Sequence, residues 1–206
     1  MSKHLFFIAI AILLAGCLEL EQKIVLSSDG SAVFTFIYDI PNENLPAVEG
    51  FFAAQTPPDG GFLSESAVKK FYNRPQDGIE LRGYRRIKKD NHTIVQVIVL
   101  ARNMDKAMKT DCFPSVEYTK KTKETPGRLE LKLPKLPENA SEADLKQVAD
   151  FCKGLKLTCE FQTPANIEKI SKFGHQSSSR RAVWHFSADT AAAPIYKPLP
   201  PAYVEW

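Results

Sequence analysis

The chain has 206 residues, with 27 Lys and Arg against 24 Asp and Glu and a formal net charge of +3. So small an excess of positive charge gives no argument for a nucleic-acid partner. The length suits one domain, which at this size buries roughly 70% of its unfolded surface.

Lys3 and His4 precede an unbroken apolar run, Leu5 to Leu14. The run is too short to span a bilayer, which takes ~20 residues, and has the form of a signal-peptide core. Leu14-Ala15-Gly16-Cys17 follows and matches a lipobox at all four positions. Small residues there admit the signal peptidase, and the Cys17 thiol receives a diacylglycerol. On this reading residues 1–16 are a signal peptide, and Cys17 starts a mature chain held to a membrane by its acyl chains. Each buried methylene contributes about 0.8 kcal/mol. Leu18 stands where an Asp would signal inner-membrane retention, which predicts the outer membrane in a cell that has two.

Leu18, Leu20, Ile24 and Leu26 then predict a strand, with an irregularity near Gln22. Ser27-Ser28-Asp29-Gly30 is turn chemistry, because Gly30 accepts a positive φ. Val33 to Ile40 forms a second strand, ended by Pro41, and the pair reads as a hairpin. Asn44 caps a helix over residues 44–55 in which Leu45, Val48 and Phe52 follow helical spacing. Ser64 caps another over residues 64–72, with Val68, Phe71 and Tyr72 on one face. Ile79, Leu81 and Tyr84 start a third strand, with Gly83 as a bulge. The β-branched run Ile94 to Ala101 predicts a central strand, and Met104 to Met108 one or two helical turns. Val116, Tyr118, Leu129, Leu131 and Leu133 predict a hairpin around Thr125-Pro126-Gly127 whose Lys- and Glu-rich side is wet.

Ser141 and Asp144 begin a helix that buries Leu145, Val148, Ala149 and Cys152 and ends at Gly154. Leu157, Cys159 and Phe161 alternate along a strand. Thr163-Pro164 opens a short helix with Ile167 and Ile170 inward, closed by Gly174. His175 to Ser179 is a polar loop, and Ala182, Trp184 and Phe186 line a last strand. From Thr190 the chain is an Ala- and Pro-rich tail, extended and able to pack on the domain. The fold class expected is α+β: a single domain over residues 17–189, with a mainly antiparallel, twisted sheet of six to eight strands and helices on one side. The tail occupies residues 190–206.

No constellation of nucleophile, base and metal ligand stands out. His92, His175 and His185 are scattered, and none lies beside a cysteine pair at zinc spacing. No glycine loop cradles a phosphate. Ser177-Ser178-Ser179-Arg180-Arg181 has the composition of an anion site, but equally that of a loop entering an edge strand. The expectation is a protein that is not an enzyme, with no catalytic residue, metal or cofactor. With Cys17 acylated, Cys112, Cys152 and Cys159 remain, an odd number. Sequence proximity and facing direction favour a Cys152–Cys159 bond, about 2–3 kcal/mol for so short a loop. Cys112–Cys152 would constrain more, about 4 kcal/mol. Three buried thiols are the third option. The aromatic residues fall mostly on inward faces as core. Phe51, Phe52, Phe71, Trp184 and Phe186 are the ones placed to line a cavity.

Two stretches carry a resemblance. Cys17 is followed directly by a strand, an Asp-Gly turn and a second strand. Near the C-terminus stands LKLTCEFQTPANIEKISKFGHQSSSRRAVWHF, a strand, a Pro-containing turn, a glycine and a strand bearing Val183-Trp184. Over most of residues 17–189 this resembles LppM-like lipoproteins of the bacterial envelope. Thr163-Pro164-Ala165 stands where that family tends to have Phe-Pro-Gly, and the C-terminal transmembrane helix common in the family is not seen. The resemblance implies an α+β domain displayed at a membrane, with lipid-related binding and no catalytic residues. Two expectations follow: a module that holds a lipid or other apolar ligand, or a structural lipoprotein that presents a surface to an envelope protein.

Overall fold

The computed structural model describes residues 18–46, 48–49, 61–132, 154–187 and 201–206. Two strands open it, β1 (Glu19–Leu26) and β2 (Ala32–Pro41). Gly30 turns between them at φ +83°, and Asp29 Oδ1 accepts from Ser31 N at 2.9 Å and Ser31 Oγ at 2.7 Å. The register runs unbroken from Glu19 opposite Asp39 to Leu26 opposite Ala32. The irregularity expected at Gln22 is absent. Gln22 simply takes an inward position in the alternation Leu20, Gln22, Ile24, Leu26.

Asn44 O accepts from Val48 N at 3.1 Å, the start of the helix expected there; Phe51 and Phe52 lie outside the described residues. Helix α1 (Glu65–Tyr72) is capped by Ser64, whose side chain accepts from Ala67 N, and it buries Val68 and Tyr72 as its spacing requires. Strands β3 (Ile79–Lys88) and β4 (His92–Ala101) follow, with the bulge falling between Leu81 and Gly83. The short helix α2 (Met104–Ala107) is capped by Asn103, and Met104 N donates to Gly30 O at the first hairpin.

The next elements depart from the sequence reading. The hairpin β5 (Val116–Thr119) and β6 (Arg128–Leu131) does not join the main sheet. After β7 (Lys156–Gln162), no helix forms over residues 163–174. Thr163 N donates to Arg180 O, Ile167 N to Ser179 O and Glu168 N to Glu205 O. Neighbouring extended chain takes the donors a helix would have used. In its place stands β8 (Lys169–Ile170), and the expected polar loop is the edge strand β9 (Gly174–Ser178), paired with β10 (Arg181–Ser187). The segment read as a tail ends in β11 (Ala202–Glu205), extended and packed on the domain.

The result is two sheets rather than one. Seven strands run β3-β4-β2-β1-β7-β10-β9, and four run β5-β6-β11-β8. All pairs are antiparallel except β1 with β7, so the large sheet is mixed. Every described pairing lies within residues 18–206. The core sits on the inner face of the large sheet, where Ile24, Phe34, Val95, Val97, Val99, Phe161 and Trp184 are fully buried, and it continues into Leu129, Leu131, Ala202 and Val204 of the small one.

Each sheet ends on the same device, a tryptophan lying across a glycine. Gly174 pairs with Trp184 across β9 and β10, and a Cβ there would meet Trp184 Nε1 at 2.6 Å. Gly127 and Trp206 exchange two backbone hydrogen bonds of 3.0 Å, and a Cβ on Gly127 would meet Trp206 Nε1 at 2.6 Å. The glycines leave room for the indoles, which cover an otherwise bare stretch of strand. Trp184 Nε1 is buried without a hydrogen-bond partner, a cost of about 1–3 kcal/mol that the packing of the ring must offset.

Candidate functional site

Register sorts the inner face of the large sheet into rows. Val99, Phe34, Ile24, Phe161 and Ala182 stand side by side across β4, β2, β1, β7 and β10, and all are fully buried. The next two rows, toward the N-terminal end of β1, are Val97, Phe36, Gln22, Cys159, Trp184 and then Val95, Tyr38, Leu20, Leu157, Phe186. Here Leu20, Gln22, Phe36, Tyr38, Leu157 and Phe186 are only half-buried. The loosening is confined to these two rows: Leu18, Ile40 and Thr93, one row nearer the end where the mature chain would begin, are buried again. Gln22 is the one polar side chain in the two rows, and its amide has no hydrogen-bond partner among the described residues.

Aromatic rings wall one side of this band. Phe36 stacks near Tyr72 at 6.0 Å and Tyr38 near Phe62 at 6.1 Å, while Phe71 meets Phe62 and Tyr72 edge-on at 6.0 and 4.9 Å. Tyr84 OH donates to Leu63 O at 2.6 Å and fixes the chain before α1. Burial raises the phenols of Tyr38 and Tyr72 well above their usual range, and Tyr38 adds to the shift of Tyr72. An apolar surface with few polar groups is the usual lining of a small-molecule site.

Of the residues expected to line a cavity, Phe71 meets Phe62 and Tyr72, whose rings lie against Tyr38 and Phe36 of β2, whereas Trp184 and Phe186 sit on β10. Three strand spacings, about 14 Å, separate them, so they do not converge. Trp184 is core, against Phe161 at 5.2 Å; Phe186 belongs to the half-buried band. Cys17, Phe51, Phe52 and Cys152 lie outside the described residues. Cys152 was the disulfide partner expected for Cys159; Cys159 itself is free and fully buried, and burial pushes it up to about 12. Its side chain sits in the dry row between Gln22 and Trp184, where no thiolate forms to exchange. Cys112 is also free and buried, its Sγ donating to Phe71 O at 3.5 Å. Leu20, Gln22, Phe36, Tyr38 and Leu157 are band residues that sequence reasoning did not single out.

The polar groups elsewhere pair locally. His92 Nδ1 lies 2.8 Å from Asp39 Oδ1, and His185 Nδ1 3.1 Å from Thr158 Oγ1. On the outer face of the large sheet Glu160 Oε1 lies 2.9 Å from Lys23 Nζ and 3.2 Å from Arg181 Nε. Across the small sheet Arg128 pairs with Glu130 and Glu205 and covers the Tyr203 ring at 3.7 Å, the wet face its sequence predicted. Among the described residues no cluster of three or more His, Cys, Asp or Glu could hold a metal ion, and no helix is long and apolar enough to cross a membrane.

Together these features define a mostly β, mixed-sheet α+β domain with a small second sheet against its core. No protein-family description and no curated protein matches the sequence. Among solved structures, the chain is similar to the folded domain of Mycobacterium tuberculosis LppM determined by NMR. The TM-score is 0.51 at 13% identity, covering 93% of this chain and 90% of that one. The resemblance to LppM read from the sequence is thus present in the fold, and at that identity it speaks for the fold alone.

Proposed function

We propose that this protein is a lipid-anchored, non-enzymatic envelope lipoprotein whose domain holds a lipid or another apolar, amphipathic ligand. The observation that carries the reading is the half-buried band of Leu20, Phe36, Tyr38, Leu157 and Phe186 around Gln22, whose amide has no partner among the described residues. Such a surface suits acyl chains, and a single amide suits a headgroup or ester oxygen. Acylation at Cys17 supports it, because the acyl anchor would keep the domain within reach of lipid. In a cell with two membranes the outer one is the proposed site.

Native mass spectrometry of the gently extracted protein tests the reading. The expected result is added mass of a lipid, reduced by Phe36→Ala or Leu157→Ala in variants that still fold. An unliganded mass, with a defined envelope protein co-purifying, would replace it by the structural reading. One observation favours that alternative: on the outer face Val25, Val33 and Leu100 share one row and Ile37 lies two rows along, all half-buried.

A further inference from the structure

Phe173 stands apart from every other large apolar residue described. It is 75% exposed, the only large hydrophobic so exposed among the described residues. It also holds φ at +66°, the only non-glycine described with a positive φ. That conformation costs an L-residue roughly 1–2 kcal/mol. A bulky ring at that backbone angle gains no burial in return, and strain of this kind concentrates where a side chain must be displayed.

The local geometry explains the display. Gly174 N donates to Ser171 O at 3.3 Å, so Lys172 and Phe173 occupy the corner of a tight turn. Ser171 is clamped to β11, with Tyr203 N donating to Ser171 Oγ and Ser171 N to Tyr203 O, both at 3.0 Å. Gly174 is locked under Trp184. The corner is therefore a rigid link from the small sheet to the edge of the large one. Lys172, beside the ring, is exposed and has no ion-pair partner among the described residues.

Register places this corner on the anchor side. Gly174 is opposite Trp184, and β10 continues from there to Ser187, which is level with Lys156 and with Glu19 at the start of β1. At about 3.3 Å per residue, the corner lies roughly 10 Å from the level of Glu19. An exposed aromatic ring next to a free lysine suits the interface of a bilayer, where the ring enters the headgroup boundary and the ammonium meets lipid phosphate.

We infer that the Lys172-Phe173 corner is a membrane-contact tip that inserts into the leaflet carrying the anchor. The inference rests on the lipid-anchor reading for its biological setting, but its test does not. Residues 18–206 lack Cys17, so they measure the tip apart from the anchor. They are mixed with vesicles of phosphatidylcholine, with and without an equal part of phosphatidylglycerol, and sedimented. Phe173→Ser should lower partitioning into both vesicles by about tenfold, the loss of one buried ring. Phe173→Leu should retain most of it. Lys172→Ala should lose about fivefold on the anionic vesicles only, and the loss should shrink at high salt. Melting temperatures separate display from packing: Phe173→Gly should melt higher than the parent, as the strain is released. Equal partitioning of the parent and Phe173→Ser overturns the inference, and so does a lower melting temperature for Phe173→Gly. Acylation of the full chain, read by mass spectrometry, stands or falls independently of either result.

Discussion

Replacing Gly174 by alanine isolates what the indole of Trp184 requires. The φ of Gly174 lies outside the left-handed region, so alanine meets no backbone penalty. Its Cβ would sit 2.5–2.7 Å from Cε2, Nε1 and Cζ2 of a fully buried ring. Carbon contacts are comfortable at about 3.5–4.0 Å, so the ring must move by about 1 Å in a core that also holds Phe161 and Cys159. Overpacking of this kind costs about 1–3 kcal/mol. The entropy gained by removing a glycine returns about 0.4–1 kcal/mol. The net expectation is a loss of about 1 kcal/mol, or roughly 2–4 °C in melting temperature for a domain of this size. Urea unfolding followed by near-ultraviolet circular dichroism reads both the stability and the packing of the ring. Gly30→Ala is the contrasting control: nothing lies within 4 Å of its Cβ, yet φ is +83°. It should lose about 1 kcal/mol through conformation alone, with an unchanged aromatic spectrum. In a Trp184→Phe background the Gly174→Ala cost should fall while the Gly30→Ala cost stays. A Gly174→Ala protein as stable as the parent, with the same aromatic spectrum, would refute the Trp-on-Gly account.

Four further outcomes are expected. Cys159 should resist thiol reagents near pH 8, where burial keeps it protonated, and react only at the unfolding rate, which quantitative labelling with and without urea will read. Glu80 is held below its ordinary 4.5 first by the Arg102 hydrogen bond, so its contribution is present above that value and lost as pH falls through the lowered one. The melting gap between the parent and Glu80→Gln should therefore be largest near neutrality and close in acid. Gln22→Leu should leave the fold intact in chemical unfolding, since its half-buried amide has no partner among the described residues to lose, while weakening retention of a polar-headed lipid. Cys17→Ala should move the protein out of the membrane fraction or leave it unprocessed.

The parts of the fold that were legible are those whose determinants are local. Asp29-Gly30 between alternating apolar runs gave the first hairpin; Ser64 and the Val68-Phe71-Tyr72 face gave α1; Gly83 gave the bulge. The small sheet was not legible as a sheet, although its β5–β6 hairpin was, because β8 and β11 come to it from distant stretches. β8 is two residues long, and β11 follows a Pro-rich segment that masked the alternation Ala202, Val204, Trp206. Ile167 and Ile170 have helical spacing, but donors that close on Ser179 and Glu205 are tertiary facts that no window of sequence contains. The band was hidden for a different reason. Strand β2 is apolar on both faces, so Phe36 and Tyr38 could not be told from Ile37, and Gln22 looked like a break in a pattern it in fact continues.

The shortness of the link between anchor and fold bears on which ligand the domain meets. The described fold starts at Leu18, which is buried, and Leu18 O accepts from Lys156 N at 3.0 Å to begin the parallel pair with β7. With Cys17 acylated, a single peptide step of about 3.6 Å separates the lipid from that first hydrogen bond. Under the proposed anchoring, a tether so short would hold the start of β1 at the headgroups and leave the domain no freedom to reach a distant partner. Lipid, by contrast, is present there at the highest local concentration the envelope provides. The half-buried rows of Leu20 and Gln22 and the Phe173 corner lie toward that same end of the sheet. A longer tether inserted between Cys17 and Leu18 should therefore lower lipid retention by the band without changing the melting temperature, whereas a domain that serves an envelope protein should tolerate the insertion.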